Sequence, residues 1–166
     1  MVKAKRIIIA GGVLLAGIIA FFMFSQSEEK KVKKQFKFIA DKIEKTPDEN
    51  HIIAVTKANR IREVFTETCK IHAPAYSYSR DTSSDELSTL VLSERSQYSE
   101  ISLKFYDFVI DFPDKGTAEV NLTASMEGKL TTGELIEDLH ELKCKVQKIE
   151  DIWRLKEIEI VEVLKK

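Results

Sequence analysis

The order of patterns along the chain predicts an α+β fold: a curved antiparallel sheet wrapped on N-terminal helices, preceded by one transmembrane helix. Three observations carry this expectation. Ile7 to Phe24 is a run of eighteen uncharged, mostly apolar residues. From Glu28 to Thr68, apolar residues recur at helical spacing. From Glu100 onward the period changes to two, and turn-forming residues divide the chain into four long segments.

The apolar run spans about 27 Å as a helix, close to the hydrocarbon thickness of a bilayer. It has no polar face, so a buried core helix is a poor reading. Lys3, Lys5 and Arg6 precede it, as in a secretory leader. A cleaved leader would have a shorter core followed by small residues. Here the core ends in Phe21-Phe22-Met23-Phe24, and no cysteine follows for lipid attachment. The expectation is an uncleaved signal anchor, with residues 1–27 as basic tail and transmembrane helix (about 7–24). First-helix charge places the N-terminus in the cytoplasm. The protein is then a single-pass inner (plasma) membrane protein, with residues 28–166 as a periplasmic or extracytoplasmic domain.

The next segment, Glu28 to Lys45, carries Val32, Phe36, Ile39, Ala40 and Ile43 on one stripe and reads as a helix. Its lysines, Lys30 to Lys37, read as a solvated face, with lipid headgroups as the alternative. Thr46-Pro47-Asp48-Glu49 has the capping-box pattern and opens a second helix to about Thr68, with Ala54, Ala58, Ile61, Val64 and Phe65 inward. Cys69 to Ala75 reads as a short strand, Tyr76 to Thr82 as loop. Ser83-Ser84-Asp85-Glu86 is a second capping box, opening a short helix with Leu87, Leu90 and Val91 on one face.

Strands are expected at Glu100–Phe112, Thr117–Gly128, Glu134–Lys148 and Ile152–Leu164. Pro113-Asp114-Lys115-Gly116 is a turn in which Gly can take positive φ. In the second strand Ala118, Val120, Leu122, Ala124 and Met126 alternate with polar residues. In the last, the phase slips near Lys156-Glu157, which predicts a bulge.

Composition limits function. The chain has 26 Lys+Arg against 27 Asp+Glu, so no basic surface for nucleic acid is expected. Cys69 and Cys144 are far apart in sequence and form no Cys-x-x-Cys, which argues against structural zinc. They read as two small buried residues, with a disulfide as the alternative in an oxidising compartment. No phosphate loop or hydrolase motif occurs, and neither metal nor cofactor is expected.

The layout resembles the nuclear-transport-factor-2-like (SnoaL-like) superfamily. The residues that carry the resemblance are the helix pair before Cys69, the Asp85-Glu86-Leu87 helix start followed by Ile101-Ser102-Leu103, and the closing Ile152-Trp153-Arg154-Leu155-Lys156-Glu157-Ile158. The resemblance implies a cone of sheet with an interior pocket. It also implies a range of roles, from lyases and isomerases to assembly domains. Enzymes of this kind use an Asp/His pair for proton transfer. The nearest equivalent is Asp138 and His140, two apart on a strand and so on one face, with His72 as a further candidate. Tyr106, Asp138, His140 and Trp153 are the pocket-lining candidates. His51, at a helix start, reads as solvated. The leading expectation is a membrane-anchored, non-catalytic binding or assembly module. It would hold a small apolar ligand or a protein partner, as a homo-oligomer or membrane complex. The alternatives are a membrane-anchored lyase or isomerase using Asp138 and His140, and a purely structural spacer, which predicts a pocket filled by its own aromatics such as Phe105 and Phe108.

Overall fold

The computed structural model describes Met23 and residues 26–163. Among the described residues, no helix is long and apolar enough to cross a membrane. The expected transmembrane helix lies outside them, apart from Met23. The chain divides into two units, residues 1–31 and 32–166, and the division falls inside a helix, α1 (26–43). In the first unit, Lys31 Nζ lies 2.8 Å from Glu28 Oε1.

The second unit follows the expected order with one strand added, at Tyr78–Ser83. After α1 come α2 (His51–Ile61), a 3-10 turn (Arg62–Val64), β1 (Phe65–Ala73), β2 (Tyr78–Ser83) and α3 (Ser84–Ser96). Four long strands close it: β3 (Tyr98–Asp114), β4 (Thr117–Leu130), β5 (Leu135–Ile149) and β6 (Ile152–Val163). With β1 and β2 they form one six-stranded sheet in the order β2-β1-β6-β5-β4-β3. Pairing is antiparallel except for β1 with β6.

Differences from the sequence expectation have local causes. The second helix starts later, because Asn50 rather than Thr46 caps it: the Asn50 side chain accepts the Ile53 N–H at 3.0 Å. It also ends earlier. Val64 and Phe65 remain buried as the periodicity implied, but Phe65 pairs with Leu155 as a strand. A sheet partner outweighs weak helix propensity there. β2 was expected to be loop because its residues are polar. It is an edge strand, wet on most of its surface, with Thr82 its buried residue. The Ser83 capping box forms with both arms, yet Leu90 is 46% exposed while Leu87 is buried.

The sheet's inner face is read from β4, where Ala118, Val120, Leu122 and Ala124 are buried. In β3 the inner residues are Ile101, Leu103 and Phe105, then Phe108, Ile110 and Phe112. The phase changes because a bulge places two residues, Tyr106 and Asp107, outward in succession, with Asp107 at φ 55°. In β6 the expected bulge is present: Leu155 pairs with Val146 and Glu157 with Lys145, leaving Lys156 extra. Glu150 and Asp151 both take positive φ and make the tight β5–β6 turn. In the β3–β4 turn the Asp114 side chain accepts the Gly116 N–H at 2.7 Å.

Val32, Phe36 and Ile39 of α1 pack on this inner face as part of one core with Val120, Val146, Trp153 and Leu155. Phe36 stands edge-on to both Phe105 and Phe108, with ring centroids 5.5 Å apart in each pair. Such pairs add about 0.5–1.5 kcal/mol each beyond area burial. The end of α1 also guards a sheet edge: Lys45 and Ile101 exchange backbone hydrogen bonds, each at 3.0 Å.

Candidate functional site

Side chains on β5 alternate, so Ile136, Asp138, His140, Leu142, Cys144 and Val146 share one face. Cys144 and Val146 are buried in the core, which makes this the inner face. Asp138 lies opposite Met126 and His140 opposite Ala124 on β4. Both Asp138 and His140 are half-buried. The Nδ1 atom of His140 is enclosed and has no hydrogen-bond partner among the described residues. An imidazole in that state has one nitrogen available to a proton or a ligand.

His72 does not join this pair. β1 and β6 run parallel with Lys70 beside Glu157, Ile71 beside Ile158 and His72 beside Glu159. Ile71 and Ile158 pack against the core. Lys70 and Glu157 therefore point outward, and they approach to 3.9 Å there. Alternation sends His72 to the same outer face. The sheet itself separates it from Asp138 and His140.

The other candidates divide similarly. Tyr106 faces outward, 39% exposed, because the bulge after Phe105 reverses the phase. Trp153 is 1% exposed in the core, tilted against Phe112 at 5.7 Å. His51 is exposed at the first position of α2. Three cavities lined by described residues have none of these candidates in their walls. The largest, about 570 Å³, runs between residues 44–47 and the ends of β3, β4 and β5. Another, about 280 Å³, lies on the outer face between the β3 bulge at Asp107 and Val161, with Asn121, Glu141 and Lys143 in its walls. The third, about 130 Å³, is also on the outer face, among Glu119, Lys143, Lys145 and Glu157.

Cys69 and Cys144 are separate, buried thiols. Burial, then the charges of Glu157 and Asp81, pushes Cys69 up to about 12. Burial, then the nearby Cys69, pushes Cys144 up as well. Neither is poised as a nucleophile or metal ligand. Among the described residues, no group of three or more His, Cys, Asp and Glu side chains can hold a metal ion.

A polar cluster that sequence reasoning missed lies between the helices. The Arg95 side chain is 2% exposed and donates to the carbonyls of Ile43 (3.0 Å), Glu44 (2.9 Å) and Ala54 (3.4 Å). It also pairs with Glu49 at 2.6 Å. Lys57 donates to the other Glu49 oxygen at 2.7 Å and to the Glu44 carbonyl at 2.8 Å. Lys45 donates to the carbonyls of Arg95 and Tyr98 at 3.0 and 2.6 Å. Most of these bonds satisfy carbonyls at the C-terminal ends of α1 and α3, while the Ala54 carbonyl lies inside α2. Burial alone would raise the Glu49 carboxyl, but hydrogen bonds and charges from Lys57 and Arg95 outweigh it and lower it overall. The cluster is structural, because its hydrogen bonds join the helices to one another.

No protein-family model matches the chain, and no curated protein is detectably similar in sequence. Solved structures are similar in fold. Kfla4162 of Kribbella flavida superposes with a TM-score of 0.69 at 12% identity, covering 82% of this chain and 91% of its own. A putative scytalone dehydratase of Novosphingobium aromaticivorans gives 0.66 at 14% identity, with 85% and 87% covered. A type 3 hexachlorocyclohexane dehydrochlorinase of Novosphingobium barchaimii gives 0.62 at 7% identity, with 84% and 90% covered. At these identities the likeness shows the fold alone. That fold is α+β, a sheet packed against helices.

Proposed function

We propose that this chain is a membrane-anchored, non-catalytic binding or assembly module. The observation that carries the reading is Phe36. With Phe105 and Phe108 it sets the protein's own aromatic rings against the inner face of β3, where a substrate would otherwise lie. The separation of His72 from Asp138 and His140 supports the same reading, since it keeps His72 out of an acid–base set with them. Of the two kinds of ligand expected from the sequence, a protein partner suits this arrangement better than a small apolar molecule. The outer sheet face offers recesses between charged side chains. The apolar run from Ile7 to Phe24 supports the anchor.

Chemical crosslinking in native membranes, followed by sizing in detergent, tests this reading. The expected result is an oligomer or a larger complex. A strictly monomeric chain that crosslinks to nothing overturns it.

A second reading is favoured by one observation, the enclosed and unpartnered Nδ1 of His140 two residues from Asp138 on the inner face. It is a lyase or isomerase in which His140 moves a proton and Asp138 orients or charges it. In such an enzyme Asp138→Asn and His140→Gln would each abolish turnover, whereas His72→Gln would leave it intact. Equal loss with all three excludes this assignment.

A further inference from the structure

We propose that the exposed lysines of α1 form a binding surface for anionic phospholipid headgroups, a proposal that rests on the membrane anchor above. Residues 30–37 read Lys-Lys-Val-Lys-Lys-Gln-Phe-Lys, five cations with no acid among them. At 100° per residue, Lys34 and Lys37 fall on one side of a helix and Val32, Phe36 and Ile39 on the other. The burial agrees: Val32, Phe36 and Ile39 are in the core, while Lys34 and Lys37 are exposed.

A lysine face can be mere solvation, but three features exceed that. First, like charges three and four apart repel and weaken a helix, and solvated faces relieve this by interleaving acids. Here the first acid on this side is Asp41, in a chain with as many acids as bases. Second, Lys34 and Lys37 make no ion pair among the described residues, whereas Lys57, Lys70, Lys145 and Lys148 each do. Third, the cationic surface continues sideways. The Lys42 ammonium lies 4.9 Å and the Arg60 guanidinium 5.2 Å from the centre of the Phe38 ring. Phe38 is half-buried between them.

The occupant follows from what precedes the stripe. Lys30 is six residues beyond Phe24, at most about 22 Å of extended chain. A bilayer holding the apolar run brings its headgroup layer within reach. Phosphodiester oxygens accept charge-assisted hydrogen bonds from ammonium groups. Lysine, a point charge on a flexible stem, suits a fluid array of headgroups. Basic segments beside membrane helices are attracted to anionic lipid in this way.

The test is residue-resolved lysine acylation of the full chain. It is reconstituted in nanodiscs of phosphatidylcholine alone or of phosphatidylcholine with phosphatidylglycerol at three to one. Labelling of Lys34 and Lys37 is expected to slow about fivefold in the anionic discs and to recover in high salt. Exposed Lys129 and Lys143 should change little. Equal labelling of Lys34 and Lys37 in both discs overturns the proposal. So does slowing that spreads equally to Lys129 and Lys143. The anchor is judged separately, by resistance to alkaline carbonate. If the chain is extracted, the anchor reading fails. The same labelling with added vesicles of the two compositions then still decides the lysine surface.

Discussion

Arg95 and Glu49 form a buried ion pair: Nη2 lies 2.6 Å from Oε1, and each side chain is 2% exposed. The two residues come from the end of α3 and from the turn before α2, and their contact fixes both to the end of α1. Removing Glu49 leaves Arg95 and Lys57 without their shared carboxylate, and removing Arg95 leaves Glu49 to Lys57 alone and strands the Ile43 carbonyl. Arg95→Ala and Glu49→Ala are each expected to cost about 3–5 kcal/mol, with the double variant costing less than the sum. Thermal or denaturant unfolding of the full chain in detergent, followed by the fluorescence of Trp153, measures this.

The same pair sets a pH dependence. The Glu49 carboxyl is lowered below its ordinary 4.5 in the folded state. Its contribution is therefore complete above the unfolded value and is lost as pH falls from there through the folded value. The midpoint temperature should decline below about pH 4.5, and Glu49→Gln should flatten that part of the profile. An unchanged slope in the variant would show that other carboxylates govern acid unfolding.

Phe36→Ala should leave a cavity between Phe105 and Phe108. Truncating a buried Phe costs about 3–5 kcal/mol. An apolar void of that kind stays dry and takes small aromatic molecules. Calorimetry with benzene should register binding to the variant and none to the native chain. Binding to both would mean that the interior is open without the substitution, and would favour the small-ligand reading.

The thiols should be inert while the chain is folded. With Cys69 pushed up to about 12 by burial, about one molecule in ten thousand is thiolate at pH 8. A disulfide-exchange reagent should react at the rate of unfolding, and both thiols should appear at once in denaturant. Rapid modification of the native protein would contradict the burial.

Much of the fold was legible in local pattern. The Ser83 capping box, the clean alternation of Ala118 to Ala124 and the phase slip at Lys156 each need only neighbours in sequence. They specify helix start, strand face and bulge by short-range chemistry. The placement of Asp138 and His140 on one inner face also followed, because two residues apart on a strand is a local relation. The bulge at Asp107 was not legible. Its extra residue lies inside a run of aromatic and β-branched side chains that satisfies period two in either phase, so Tyr106 was assigned to the wrong face.

What the sequence determined by itself is the α+β order of elements, the turns and the amphipathic stripes, all of which depend on side-chain period and backbone preference. Tertiary structure decided the rest. The parallel pairing of β1 with β6 placed Phe65 beside Leu155 and Ile71 beside Ile158. Packing of α1 onto β3 placed Phe36 between Phe105 and Phe108. The meeting of three helix ends drew Arg95, Glu49 and Lys57 together. Each is a contact between residues distant in the chain. No local period encodes such contacts, and which partner a buried charge or ring finds depends on the whole core closing around it.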